Sequence, residues 1–214
     1  MGIDLLSQMK SLDRIFHSEA DFQHSLAWQL HKKNKEAKIR LERRIDTSET
    51  DPHLGEIYID IWIEFGQRQI PIELKYKTSE FSIWMDGENI QLRSHGAHPP
   101  NRFDIVSDVE RIEAVVESQG LEKGYMVFLT NDSAYWKEST RNVIDLDFRL
   151  HNEIGGEMTW SDDASLQTIS QKRDRPIELN DHYDLDWNMY GYKEPDKMGK
   201  GDAVFQYIIV EVNL

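Results

Sequence analysis

Two carboxylates and a lysine, Asp60, Glu73 and Lys75, lie at polar positions in two short runs where apolar and polar residues alternate. The runs cover residues 57–65 and 70–77, and strict alternation over such a length predicts two half-buried β-strands. Paired carboxylates with a lysine nearby are suited to bind a hard metal ion and to act on a phosphate.

The turn between the two runs predicts which residues face each other. A two-residue turn at 66–67, with Gly at its first position, favours an antiparallel hairpin that sets Phe65 opposite Arg68. In this register Asp60 lies directly opposite Glu73. One face is then expected to be continuously apolar, with the pairs Ile63–Ile70, Ile61–Ile72, Ile59–Leu74 and Ile57–Tyr76.

The predicted pairing of Asp60 with Glu73 needs compensation, because like charges directly opposite each other destabilise a sheet. Either one acid is protonated or a cation lies between them. Mg²⁺ is a suitable cation, since it takes oxygen ligands and commonly uses one or two carboxylates. A solvated strand face with a Glu–Lys ladder is the alternative, because 30% of the residues are charged.

The segment 17–31 has the pattern of an amphipathic helix. Ser18 is a suitable N-cap, and apolar residues recur every four positions at Phe22, Leu26 and Leu30. Glu19 and Gln23 share a neighbouring stripe one turn apart. Glu19 either takes part in a site or is an acid favoured by the helix dipole.

A second helix and a buried strand follow the hairpin. Apolar spacing predicts a helix over 104–119 and a strand over 124–130. Because the helix would act as a crossover, we expect this strand to run parallel to 70–77. Asp108 and Arg111, three residues apart, predict an ion pair within the helix.

This order of parts resembles the PD-(D/E)XK superfamily of restriction-endonuclease-like nucleases. The counterparts are Glu19 on the helix, residues 38–45 as first strand, Asp60 on the second strand and Glu73-Leu74-Lys75 on the third. Ile59 stands where the superfamily's Pro would be. The resemblance implies an α/β fold with an α-β-β-β-α-β core, a central mixed sheet flanked by helices and, here, a β-hairpin insertion.

The resemblance also implies roles for these residues. Asp60, Glu73 and the backbone carbonyl of Leu74 would bind Mg²⁺ or Mn²⁺, and Lys75 would position or activate the attacking water. Glu19 would assist the metal site, and Gln23 joins Glu19 and Lys75 in the expected catalytic set.

The connection 78–103 is long enough to be functional. Asp86-Gly87 is a hairpin turn signal, so we expect a β-hairpin flap there, followed by a polar loop. Basic side chains of this loop, and others between the first helix and first strand, are expected to meet phosphates or simply to face solvent. They are Arg93, His95, His98 and Arg102, and Lys32, Lys33 and Lys35.

Length and composition favour one domain over 1–214, with a core at about 18–130, the insertion at 78–103 and an extension at 131–214 that completes the sheet. The chain has no cysteine, which excludes disulfides and thiolate sites. It lacks the patterns of a signal peptide and of a membrane span, so we expect a soluble, cytoplasmic protein without a membrane partner.

The net charge of −14 argues against a nucleic-acid partner, unless basic residues are concentrated locally. We expect metal-dependent phosphodiester hydrolysis of nucleic acid, with DNA favoured. Cleavage of both strands of a duplex would favour a homodimer. The first alternative is a nuclease-fold binding or regulatory protein, whose acidic surface engages a protein partner or mimics DNA. The second is a binding module without metal.

Overall fold

A six-stranded mixed sheet forms the centre of this α/β protein. The computed structural model describes residues 3–49 and 53–214. The sheet order is β1-β2-β3-β6-β11-β9. Its strands are β1 (Lys38–Asp46), β2 (Glu56–Phe65), β3 (Arg68–Lys77), β6 (Lys123–Thr130), β9 (Asn188–Tyr190) and β11 (Phe205–Asn213). The expected mixed sheet with helices on its two faces is confirmed.

In the described part of the chain, smaller strands make two further sheets, of three and two strands. In the first, β4 (Phe81–Met85) lies between β5 (Glu88–Leu92) and β10 (Lys197–Gly201) and pairs with both; in the second, β7 (Glu153–Met158) pairs with β8 (Ile177–Asp184). The hairpin expected around Asp86-Gly87 is therefore present, and β10 from the C-terminal region is added to it.

Within residues 3–49 and 53–214, three helices cover the sheet: α1 (Leu5–Lys10), α2 (Glu19–Lys33) and α3 (His98–Ser118). The Ser18 Oγ accepts a hydrogen bond from the Asp21 N–H at 3.2 Å, so the expected N-cap of α2 is confirmed. None of the helices among the described residues is both long and apolar enough to cross a membrane.

Helix α3 begins at His98, six residues before the predicted start. Pro99 and Pro100 occupy its first turn, where a missing N–H breaks no helical hydrogen bond. The expected loop therefore ends before His98. Helix α1 covers residues 5–10, and the irregular segment that follows it contributes the buried side chains of Ile15 and Phe16.

The β2–β3 hairpin has the predicted turn. Gly66 adopts a φ of +62°, and the pairs Phe65–Arg68, Ile63–Ile70 and Ile61–Ile72 are confirmed. The parallel pairing of β3 with β6 is also confirmed, and β11 lies antiparallel to β6 on its other side.

The prediction of a continuous apolar face on this hairpin is wrong beyond Ile61. The β2–β3 ladder ends at Ile61–Ile72, and Ile57 and Ile59 pack into the core on the opposite side of the sheet. The change occurs at Asp60, where Glu42 on the neighbouring strand has a φ of 51°. The odd-numbered residues of β2 therefore change from one face of the sheet to the other between Ile61 and Ile59.

Two cores result, one on each face of the sheet. Helices α1 and α2 and the β4–β5 hairpin pack on one face, and α3 packs on the other with the β7–β8 pair. Asp60 lies where β2 changes from one core to the other, and this position opens the sheet to polar side chains.

Candidate functional site

The structure brings Asp60 and Glu73 together although the hairpin ladder ends before them. The Asp60 Oδ2 accepts a hydrogen bond from the Leu74 N–H at 2.6 Å. Its carboxyl also shares a hydrogen bond with that of Glu73, which is only 2% exposed. The buried Glu73 and the half-buried Asp60 thus form a pair at the point where β2 separates from β3.

Burial raises the pKa of both acids. For Glu73 desolvation is the largest cause, and the charge of Arg111 offsets only part of it. For Asp60, desolvation outweighs the hydrogen bonds that Glu73 and the Leu74 N–H supply. The charges of Asp108 and neighbouring acids raise both pKa values further. Without an added cation, the pair therefore tends to retain a proton.

Lys75 is held next to this pair as a cation. Its Nζ lies 2.8 Å from the Asp108 Oδ2. Burial lowers the pKa of Lys75, but the carboxylates of Asp108 and Glu19 outweigh burial, and the net shift is upward. Lys75 is therefore charged at neutral pH and can stabilise an anion, whereas it is a poor base.

Two further members of the site, Asp108 and Arg111, were expected only to pair with each other. That pair exists, with Arg111 Nη1 3.1 Å from Asp108 Oδ1, but both residues also reach the sheet. Arg111 Nη2 lies 2.9 Å from Glu73 Oε1 and donates to the Tyr58 carbonyl at 2.6 Å.

One feature of the sequence indicated that Asp108 lies on the buried side of its helix. It comes three residues after Ile105 and four before Ile112, which is the spacing of the buried stripe. An acid on that stripe must find a partner in the interior. The sequence could not show that Lys75 is the partner.

Helix α2 is fastened to the site by Glu19 and Gln23. The Glu19 Oε2 accepts from the Tyr76 N–H at 2.7 Å. Gln23 Nε2 donates to the Asp60 carbonyl at 2.8 Å and to Glu42 Oε1 at 2.6 Å. Glu42 was not expected here, because its position depends on the irregularity in β1.

The donor set suits a hard divalent cation. Four carboxylates (Glu19, Asp60, Glu73, Asp108) face two cations (Lys75, Arg111), so the formal balance with all acids ionised is 2 − 4 = −2. Glu73 Oε1 and Asp108 Oδ2 are buried and accept no hydrogen bond from the described residues, although a cation lies near each.

The number of side-chain ligands is small. Among residues 3–49 and 53–214, no three Asp, Glu or His side chains are grouped as metal ligands. An ion at this site would therefore depend on two carboxylates together with backbone carbonyl and water. This is a common arrangement for Mg²⁺.

The loop residues expected to bind phosphates divide into two groups. Arg93 and His95 are exposed and line a cleft of about 340 Å³ that Glu19 and Lys77 also line. Burial lowers the pKa of His95, whose Nδ1 accepts from the Thr78 N–H at 3.0 Å. This cleft therefore lies directly beside the acidic site.

His98 and Arg102 each pair with an acid of the protein itself. His98 Nε2 lies 2.7 Å from Asp132 Oδ2. Arg102 is 2% exposed, forms an ion pair with Asp145 and donates to the Ala134 carbonyl at 2.7 Å. Its charge is thus neutralised internally and does not face a ligand. Helix α3 begins early enough to carry this side chain into the core.

The side chains of Lys32, Lys33 and Lys35, which were expected to meet phosphates or face solvent, are exposed. Lys32 and Lys33 form the last turn of α2, and Lys35 lies in the short connection to β1.

Comparison with protein-family models, with curated proteins and with solved structures found no significant match. The resemblance to the PD-(D/E)XK superfamily depends on the order and spacing described above.

Proposed function

We propose that this protein is a metal-dependent phosphodiesterase that acts on nucleic acid, with DNA as the favoured substrate. The observation that carries the proposal is the pair of the half-buried Asp60 and the buried Glu73, with the Lys75 ammonium beside it. Two neighbouring acids whose pKa values are raised mainly by burial form a site whose charge a divalent cation balances better than a proton does.

Asp60, Glu73 and the Leu74 carbonyl would hold Mg²⁺ or Mn²⁺. When bound, such an ion polarises a phosphate oxygen and lowers the pKa of a bound water. The Leu74 N–H fixes the Asp60 carboxylate, and Gln23 fixes the Asp60 backbone, so the ligand position is held from two sides.

Lys75 supplies positive charge where the phosphate becomes more negative during attack. Because its pKa is raised, it donates hydrogen bonds to an oxygen and does not remove a proton from water. In the present arrangement Lys75 is paired with Asp108 and Glu73 with Arg111. Substrate binding would require Lys75 to exchange part of its contact with Asp108 for a phosphate oxygen.

The first test is cleavage of end-labelled single- and double-stranded DNA with Mg²⁺ or Mn²⁺ and with EDTA. Lys75→Ala and Asp60→Asn should each lower the rate by about 100-fold or more, the usual loss on removal of one charge-stabilising group. Lys123→Ala is the matched control, since Lys123 is a lysine on β6 whose ion pair with Glu211 is at the surface. Circular dichroism would check folding. Equal cleavage by wild type, Lys75→Ala and Asp60→Asn would contradict the proposed site.

A second function is favoured by a specific observation. Lys75 and Glu73 each have an internal partner of opposite charge, so neither of these two side chains needs an ion for its own neutralisation. Together with the net charge of −14, this favours a nuclease-fold binding protein whose acidic surface meets a basic partner.

Thermal unfolding with added Mg²⁺ or Mn²⁺ separates the two functions. An ion that binds only the folded state raises the free energy of unfolding, by about 2.7 kcal/mol at 100 times Kd. A phosphodiesterase should show this rise in wild type and lose it in Glu73→Gln. The binding protein should show no rise in either.

A further inference from the structure

A groove of about 650 Å³ lies between α2 and β1, within the size range of about 300–1,000 Å³ that is usual for ligand sites. We call it the α2–β1 groove. It is lined by aromatic and basic side chains, principally His24, Trp28, His31, Lys35, Lys38 and Arg40.

Aromatic surface is exposed in this groove. Trp28 is 63% exposed, although tryptophan is usually well buried in a folded protein. The His31 ring lies beside it, with 6.5 Å between ring centroids, and Leu41 on the opposite wall is 40% exposed. A flat ligand could stack on Trp28 without any rearrangement of the core.

The α2–β1 groove is basic on an acidic protein. Lys35, Lys38 and Arg40 line it together with one acid, Glu36. Arg40 is exposed, and its Nε is 3.6 Å from the nearest Glu64 oxygen, which leaves its other nitrogens available to solvent. With −14 over the whole chain, this concentration of cations favours an anionic ligand.

The α2–β1 groove lies on elements that also contribute to the acidic site. His24 and Leu41 line it, and they are the chain neighbours of Gln23 and Glu42. The hydrogen bond of 2.6 Å between Gln23 and Glu42 joins α2 to β1 beside Asp60. The groove and the acidic site therefore share two elements, α2 and β1.

We propose that the α2–β1 groove binds an unpaired stretch of DNA, with one base stacked on Trp28 and phosphates near Lys35, Lys38 and Arg40. Stacking platforms combined with cationic grooves are the general means of holding single strands. A base inside a duplex cannot present its face to Trp28, so the ligand is single-stranded. The inference rests on the proposed function, because it names the substrate form for that site.

The test is fluorescence anisotropy with a labelled oligothymidine of 12 nucleotides in EDTA, which prevents any metal-dependent cleavage. Trp28→Ala should weaken binding roughly 5- to 100-fold, as expected when one base can no longer stack, and Trp28→Phe should restore part of it. Lys35→Ala and Lys38→Ala should lower the salt slope by about 0.7 for each phosphate that is no longer neutralised. A duplex competitor should be at least tenfold weaker.

Trp84→Ala is the matched control, because Trp84 is an exposed tryptophan on β4, outside the groove. It should leave binding unchanged. An RNA oligomer of the same length determines whether the 2′-hydroxyl is tolerated. Equal binding by wild type and Trp28→Ala would overturn the proposal.

Two other outcomes would also overturn it. One is preference for the duplex. The other is that wild type binds no oligonucleotide but self-associates, as measured by sedimentation, and that Trp28→Ala abolishes this self-association. A second copy could add to β1, because β1 is an edge strand of the sheet.

The groove and the proposed catalytic site can fail separately. Binding that depends on Trp28 with no cleavage in Mg²⁺ or Mn²⁺ would support the groove and reject the phosphodiesterase. Cleavage that depends on Lys75, together with oligonucleotide binding that Trp28→Ala leaves unchanged, would support the phosphodiesterase and reject the groove.

Discussion

The buried charges around Glu73 show how single residues set the chemistry of this site. Glu73 is almost fully buried, and Arg111 is the nearest cation to it at 2.9 Å. A buried ion pair costs desolvation on both sides, and removal of one partner leaves the other uncompensated. The Arg111 guanidinium therefore neutralises Glu73 where a bound metal ion would otherwise do so. We expect the guanidinium and the ion to compete for this carboxylate.

Substitution of Arg111 tests this competition. In EDTA, Arg111→Met should lower the free energy of unfolding by about 1–3 kcal/mol, less than for a fully buried pair because the Arg111 side chain is partly exposed. Adding Mg²⁺ should then stabilise the variant more than it stabilises wild type, since the ion would replace the missing positive charge. Chemical denaturation with and without Mg²⁺ measures both effects.

Arg68→Met is the control, because Arg68 forms only a surface pair with Glu122. A similar Mg²⁺ response in Arg111→Met and wild type would contradict the idea that the guanidinium and the ion compete.

At the level of elements, the site depends on how closely α3 approaches the sheet. Asp108 and Arg111 reach Lys75 and Glu73 only because α3 lies flat on β3 and β6. Gly124 on β6 permits this contact. A Cβ there would lie 2.7 Å from Ile112 Cγ2 and 2.9 Å from Pro71 Cγ.

Gly124→Ala should push α3 away from the sheet and lower the free energy of unfolding by about 1–3 kcal/mol, the usual cost of overpacking. Its φ is not in the left-handed region, so the effect would come from the contact alone. Gly96→Ala is the control: a Cβ there meets no atom of the described residues within 4 Å, and we expect almost no change. Urea denaturation compares the two; equal stability would show that α3 can shift freely.

For the whole molecule, the C-terminal extension is joined to the core by the pairing of β11 with β6 and also by ion pairs with α3. The buried Arg102–Asp145 pair and the more exposed Arg173–Asp104 pair both connect this helix to residues beyond β6. The first pair lies in the interior and the second near the surface. The two pairs should therefore differ in energy although they have the same chemistry.

Asp145→Ala should destabilise the protein by about 3–5 kcal/mol, because it leaves the Arg102 guanidinium buried without its counter-ion. Asp104→Ala should cost about 0–1 kcal/mol, because the Arg173 charge is then solvated. Thermal and urea unfolding of both variants provides the measurement. If Asp145→Ala were as stable as Asp104→Ala, the buried pair would not hold the extension to α3.

The sequence by itself determined the parts that local rules control. Alternation and a glycine turn predict the pairing of Ile63 with Ile70, and a serine cap with four-residue spacing predicts α2. The crossover rule predicts that β6 runs parallel to β3. These features arise from residues close in the chain or from general constraints on connections.

Only the tertiary structure decided which charges meet. The change of face of β2 at Asp60, the contacts of Asp108 and Arg111 with β3, the burial of Arg102 and the basic α2–β1 groove all involve elements that pack together from distant parts of the chain. Periodicity indicates which side of an element is buried, but the partner on that side depends on the docking of whole elements. For this reason the sequence indicated Asp60, Glu73 and Lys75 as candidate site residues. The residues that neutralise their charges could be identified only from the fold.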